Sequence, residues 1–306
     1  MKVKDLITIK DLSISDIEEI FALAAKLKGD GKISKDEPLK GKTLGLIFQK
    51  PSLRTKVSFA AAMAQLGGTA IFLAPDEVKL GEREEIKDVA RTLSRYLDGI
   101  VARTFKHGDI VELAEYSAVP VINGLSDFSH PCQALADLFT VKEKKGKVKG
   151  LKIAYVGDGN NVCNSLLMTA ARVGADIAVA TPKGYEPEKE VVKISSDFAS
   201  VTGTKVWLTA DPQKAVEGAD VIYTDVWTSM GQEKERNKRL KDFKGFQINE
   251  KLCSNAKKDY IIMHCLPAHR GEEISDESLE SPHSVVFDQA ENRLHVEKAI
   301  LMLLLK

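Results

Sequence analysis

Charge of one sign is what this sequence lacks most plainly. Lys and Arg together number 44, Asp and Glu number 44, and the formal net charge is zero. A nucleic-acid binder would carry a basic excess or stripe, and a protein drawn to anionic membranes would carry one too. Any anionic ligand must therefore be captured by a local cluster of charge. Long apolar runs are also missing. The longest obvious one, Ala299 to Leu305, falls far short of the roughly 20 residues that cross a bilayer. The opening stretch from Met1 to Ser13 has no long apolar core, so no signal peptide is expected. Cysteine is scarce: Cys132, Cys163, Cys253 and Cys265 form no CxxC pair and no dense framework. In a chain this long they read as reduced thiols of a cytoplasmic protein. No segment is Pro-rich, Ser-rich or of low complexity, and no solenoid period is visible.

What is present suits two domains. The chain has 306 residues, too many for one ordinary core, with 43% hydrophobic and 29% charged residues. Ser15 and Glu18 have capping-box spacing, and Ile17, Ile20, Phe21, Ala24 and Leu27 follow at helical spacing, which predicts a first helix. Short apolar runs predict strands at 43–48, 69–73, 99–102 and 120–122, with helices between them. A helix over 131–145 ends in a lysine-rich segment, and the pattern then restarts with strands at 151–156, 176–180, 204–208, 220–223 and 260–263. Such alternation predicts an α/β fold of two doubly wound parallel-sheet domains with an interdomain cleft. The apolar density from Leu294 to Leu305 predicts a last helix packing back on the first domain. The expected domains are 1–145 with 290–306, and 146–289.

Gln49 to Lys56 lies between a strand and a helix. A helix N-terminus there offers free N–H groups and a positive dipole end to an anion. Ser52 and Thr55 add hydroxyls, and Arg54 adds a planar fork suited to phosphate. The P-loop pattern GxxxxGK(S/T) is absent. Gly157-Asp158-Gly159 follows a strand as a dinucleotide fingerprint would, but Val162 stands where its third glycine belongs, which leaves a nucleotide-dependent dehydrogenase a weak alternative.

Six ordered blocks then resemble one family, the aspartate and ornithine carbamoyltransferases, over essentially the whole chain. They are the S-x-R-T at Ser52–Thr55, Ala102-Arg103-Thr104, His130-Pro131-Cys132-Gln133, Gly157 to Asn161, Asp225 to Gly231, and His264-Cys265-Leu266-Pro267. The Ser229-Met230-Gly231 element is similar to the ornithine branch. The resemblance implies transfer of a carbamoyl group from carbamoyl phosphate to the side-chain amine of ornithine, giving citrulline and phosphate, in arginine biosynthesis. It also implies a homo-oligomer built on a trimer, and a carbamoyl-phosphate domain followed by an ornithine domain. Carbamoyl phosphate is already activated, so no cofactor is expected. His264, Cys265 and His269 match no closed zinc spacing, so no metal is expected either.

By resemblance, carbamoyl phosphate is bound by Ser52, Leu53 (through its N–H), Arg54, Thr55, Arg103, His130, Pro131, Cys132, Gln133, Cys265, Leu266 and Arg293. Arg103 bridges phosphate and carbonyl oxygen, His130 donates to that oxygen, and Gln133 holds the carbamoyl amide. Ornithine is bound by Asn161, Asp225, Ser229 and Met230, with Asp225 and Cys265 handling the amine, so that Asp225, Cys265, Arg103 and His130 form the catalytic set. Lys79 stands where the family usually has a glutamine that reaches carbamoyl phosphate, which makes it a further carbamoyl-phosphate-binding residue by resemblance, and Lys56 stands where the family usually has arginine. Putrescine or N-acetylornithine as acceptor, and a catalytically silent carbamoyl-phosphate-binding relative, remain alternative readings.

Overall fold

The structure is a computed structural model that describes residues 1–29 and 36–306. It divides into two compact units, Met1–Ala136 with Glu291–Lys306, and Asp137–Ala290. The sequence suggested a first boundary after residue 145. The two compact units divide between Ala136 and Asp137, inside a helix that runs on to Lys145.

The first unit is built on four parallel strands, β1 (Thr43–Phe48), β2 (Thr69–Leu73), β3 (Gly99–Arg103) and β4 (Val121–Leu125), in the order β2-β1-β3-β4. Its helices are α1 (Ile14–Gly29), α2 (Arg54–Gln65), α3 (Pro75–Val78), α4 (Ile86–Leu93) and α5 (His107–Tyr116), followed by the first turns of α6 (Pro131–Lys145). β1 and β3 read as unbroken apolar runs because both faces are covered. Burying each large side chain, such as Leu44, Leu46 or Ile100, contributes about 1.5–3 kcal/mol. The α1 start differs from the expectation. Ser13, not Ser15, is the cap: its Oγ accepts from the Asp16 N–H at 3.1 Å, and Asp16 Oδ2 accepts from the Ser13 N–H at 2.9 Å. Asp16 closes the box with a shorter side chain than the Glu that the spacing search favoured.

The second unit carries β5 (Lys152–Val156), β6 (Asp176–Ala180), β7 (Val206–Thr209), β8 (Val221–Thr224) and β9 (Ile261–His264), all parallel, in the order β7-β6-β5-β8-β9. Its helices are α7 (Asn161–Val173), α8 (Lys189–Thr202), α9 (Pro212–Val216), α10 (Arg236–Asp242), α11 (Glu250–Cys253) and α12 (Asp276–Leu279). A final helix, α13 (Val286–Leu305), begins in this unit, and its residues from Glu291 onward belong to the first. There Leu305 packs so close to β3 that a Cβ on Gly99 would lie 3.2 Å from it.

Both sheets are wound outward from a strand near the middle, which creates a topological switch point in each. In the first sheet it lies between β1 and β3, in the second between β5 and β8. Loops leaving the carboxyl ends of such strand pairs diverge and leave room for a ligand. The motif blocks fall there: Gln49–Thr55 follows β1, Arg103-Thr104 ends β3, Gly157–Asn161 follows β5, and Asp225–Gly231 follows β8.

Candidate active site

In the first unit the positive groups converge. The loop after β1 ends at α2, where Ser52 Oγ accepts from the Thr55 N–H at 3.3 Å and so caps the helix. Leu53 is 72% exposed, which leaves its backbone rather than its side chain to meet a ligand. Arg54 opens α2 half-buried, whereas Arg103 at the end of β3 is buried. The Arg103 carbonyl accepts from the Gln49 N–H at 2.8 Å, and Gln49 Oε1 accepts from the Phe105 N–H at 2.8 Å, so Gln49 ties the two loops together. His130 precedes Pro131, which occupies the first position of α6, where a missing N–H costs nothing. Gln133 Oε1 accepts from Arg293 Nη1 at 2.6 Å, and Thr55 Oγ1 accepts from Arg293 Nη2 at 3.1 Å. The charges show their proximity: burial, then Arg103, pushes the Lys50 ammonium down, with Asp127 opposing. Burial, then Arg293 and Arg103, pushes the His130 imidazole well down, so it is neutral at neutral pH and donates through one N–H. Such a cluster favours an anion.

Two predicted residues stand apart from that cluster. Cys132 is fully buried, and its thiol points to the Asn123 carbonyl at 3.6 Å. Burial pushes that thiol far up, which suits packing better than chemistry. Lys79 is exposed, with left-handed backbone (φ 43°), on the rim of a hollow of about 240 Å³ that is also lined by Phe48, Gln49 and Phe105.

In the second unit Asp225 is the hub. It is buried just past β8. Its Oδ1 accepts from the Cys265 thiol at 3.0 Å and its Oδ2 from Asn160 Nδ2 at 2.7 Å. In this arrangement the carboxylate, not the thiol, is the proton acceptor. Cys265 is presented by the loop after β9. There His264 Nδ1 accepts from the Leu266 N–H at 2.8 Å, which puts the imidazole proton on Nε2, 3.1 Å from Glu273 Oε1. Leu266 itself has φ 58°, an uncommon value for a residue with a side chain, so this loop is held tightly. Asp225, His264 and Cys265 bring ligand-type atoms within 4.8 Å of one another, but both imidazole nitrogens serve the loop. Asn161 opens α7 half-exposed, Ser229 is half-exposed, and Met230 is 48% exposed. Ser229 and Met230 make no hydrogen bond to Asp225, so the structure groups Asp225, Cys265 and Asn160 and leaves the Ser-Met-Gly turn apart.

Sequence reasoning missed Asn160 as a partner of Asp225. It also missed Arg239, whose Nη1 donates to Asp158 Oδ2 and to the Trp227 carbonyl, both at 2.9 Å, and thus joins the loops after β5 and β8. The only sequence signal was the i,i+4 spacing of Glu235, at the N-cap of α10, and Arg239, realised at 3.0 Å. Gly159 has a steric reason: a Cβ there would lie 2.3 Å from the Pro187 nitrogen.

Burial pushes the Asp158 carboxyl up to about 6, with Arg239 opposing. The folded state therefore keeps this proton to higher pH than the unfolded chain. The stability that this group contributes is complete below about pH 4 and is lost as pH rises through the folded value. Asp158→Asn should accordingly flatten the pH dependence of Tm across that window. A slope identical to that of the unaltered protein would refute the assignment.

Fold and sites together define a two-domain α/β protein with an anion-favouring cluster in its first unit and a buried carboxylate hub in its second. Sequence models of aspartate/ornithine carbamoyltransferase match both halves, the carbamoyl-P binding domain over residues 4–143 and the Asp/Orn binding domain over residues 149–304. The chain belongs to the aspartate/ornithine carbamoyltransferase family. It is 56% identical over 306 residues to the ornithine carbamoyltransferase of Pyrococcus horikoshii, covering 100% of this chain and 96% of that one. It is 55% identical over 303 residues to the anabolic ornithine carbamoyltransferase of Pyrococcus furiosus, covering 99% and 96%. The solved structure of ornithine carbamoyltransferase from Pyrococcus furiosus superposes with a TM-score of 0.95 at 54% identity, covering 99% of this chain and 97% of that one.

Proposed function

We propose that the protein transfers the carbamoyl group of carbamoyl phosphate to the side-chain amine of L-ornithine, giving L-citrulline and phosphate in arginine biosynthesis. The observation that carries the acceptor side is the buried Asp225 carboxylate, held by Cys265 and Asn160 at the β5/β8 switch point. A side-chain amine with a solution pKa near about 10.4 arrives protonated, and a carboxylate pairs with it and accepts its proton. On the donor side, Ser52, the Leu53 N–H, Arg54 and Thr55 hold the phosphate, with Lys79 on the rim. Arg103 and Arg293 bind the anion, and neutral His130 donates to the carbonyl oxygen as negative charge develops there. Gln133, oriented by the bond its Oε1 accepts from Arg293, holds the carbamoyl amide. Pro131 starts α6 so that His130 and Gln133 are presented together, and the Cys265–Leu266 segment supplies further polar contacts to the donor. Asn161, Ser229 and Met230 hold the amino-acid end of ornithine.

The working form is a homotrimer in the cytoplasm. Leu53, Val57, Ile71, Phe72 and Phe105 expose apolar surface on the first unit around α2 and the edge strand β2, which supports association. Four free cysteines, three of them buried, fit a reducing compartment. No helix among the described residues is long and apolar enough to cross a membrane.

The test is citrulline formation from carbamoyl phosphate and ornithine, beside reactions with putrescine and N-acetylornithine, on a preparation sized by light scattering. Turnover on ornithine, absent with the other amines, and a trimeric mass are expected. Preference for another amine would overturn the acceptor, a monomeric mass the assembly, and recovery of the protein outside the cytoplasm the location.

A further inference from the structure

Glu297 lies one turn beyond Arg293 on α13 and is wholly buried. Its Oε1 accepts from Arg293 Nε at 3.0 Å and from Arg293 Nη2 at 2.7 Å. Its other oxygen is buried and makes no close hydrogen bond, although the Ser58 hydroxyl lies near enough to the carboxyl to favour its charged form. Burial pushes this carboxyl up, and the guanidinium of Arg293 is the main counterweight. A buried ion pair with one oxygen only loosely engaged is a poor stabiliser, because desolvation of the charges is offset only when the polar atoms are well satisfied. An apolar residue of similar volume would serve packing at least as well, so packing does not explain the carboxylate.

The rest of the guanidinium explains it. Nη1 donates to Gln133 Oε1 and Nη2 to Thr55 Oγ1, in the first turns of α6 and α2. The guanidinium is planar, so fixing its Nε side fixes the directions of both terminal nitrogens. We propose that Glu297 is a positioning residue: it fixes the fork of Arg293, and through that fork the orientation of Thr55 and Gln133 at the donor site. The role rests on reading that site as the one for carbamoyl phosphate. Glu297 also sets negative charge against Arg293, which, after burial, is the next cause that pushes the His130 imidazole down. It touches no substrate in this role.

The experiment compares the assembled wild-type enzyme with Glu297→Gln, which keeps the shape and one acceptor, and Glu297→Met, which keeps only the volume. KM for carbamoyl phosphate, KM for ornithine, kcat and Tm are measured for each. Charge-assisted bonds are about twice as strong as neutral ones. KM for carbamoyl phosphate should therefore rise about fivefold in Glu297→Gln and about thirtyfold in Glu297→Met, while KM for ornithine stays within about twofold. An unchanged KM for carbamoyl phosphate in both variants would overturn the role. So would a loss in which both KM values and kcat change together with a lowered Tm, since that is general structural damage. If Glu297→Met does not fold, Glu297→Gln decides by the same criterion. Absence of citrulline formation by the wild-type enzyme would instead remove the carbamoyl-phosphate reading, and the role of Glu297 with it.

Discussion

Replacement of Asp225 with asparagine should lower kcat/KM for ornithine by about a thousandfold while KM for carbamoyl phosphate moves little. The size follows from what the carboxylate does. It is the one group that accepts from both Cys265 and Asn160, and it is buried, so its charge is poorly screened. Asparagine keeps the shape but turns one acceptor into an NH2 donor. That donor must face either the Cys265 thiol or the Asn160 amide, each of which already donates into the site. The substitution thus removes the charge that pairs with an incoming ammonium, removes the proton acceptor and leaves a donor facing a donor. General acid–base function alone is worth about 10²–10⁴-fold. Steady-state kinetics with each substrate varied in turn provides the check. A loss below tenfold would mean that another group receives the amine.

Arg103→Met should cut kcat/KM for carbamoyl phosphate by about 10³-fold or more and leave Tm unchanged or raised. Arg103 is buried beside Lys50, whose ammonium is pushed down by burial and then by Arg103, and near His130, which burial, Arg293 and then Arg103 push down. Like charges gathered in a buried place cost stability, so an apolar replacement of similar length relieves repulsion in the free protein. The same replacement removes a donor fork from the place where an anion's charge would be met. Loss of one such preplaced donor is worth about 10²–10³-fold, and the arginine is proposed to meet both phosphate and carbonyl oxygen. A folding defect lowers activity and Tm together, whereas a site that stores repulsion for its ligand moves them in opposite directions. Tm in the absence of substrate, measured beside the kinetics, separates the two. A lowered Tm with normal kinetics would make Arg103 a structural residue.

The strands and long helices were legible because their apolar periods are strong, and the switch points follow once the strands are ordered. Elements of four to seven residues, such as Pro75–Val78, Pro212–Val216 and Arg236–Asp242, were not, because fewer than two helical turns give no period to detect. The last helix starts at Val286 rather than Leu294 because its first two turns are rich in charged and amide residues that mask the apolar face. At the sites, the motifs named the residues of the two clusters, but the pairings that support them were not legible. Arg239 reaches Asp158 across 81 positions, and Arg293, itself named from the sequence, reaches Gln133 across 160; no local spacing encodes such pairings. Cys132, named because it sits inside a motif, is fully buried with its thiol toward the Asn123 carbonyl, a placement that its motif does not encode.

Asn160 has two duties. Its Oδ1 accepts from the Val162 and Cys163 N–H groups at 3.0 and 3.1 Å and caps α7, while its Nδ2 donates to Asp225. The opening of that helix and the state of the acceptor carboxylate are therefore one cooperative unit. Fraying of the first turn releases Asp225, and a ligand that tightens Asp225 protects two amides from exchange with solvent. By mass action, occupancy of the amine site is felt as added order at the end of a helix whose remaining turns lie in the core of the second unit.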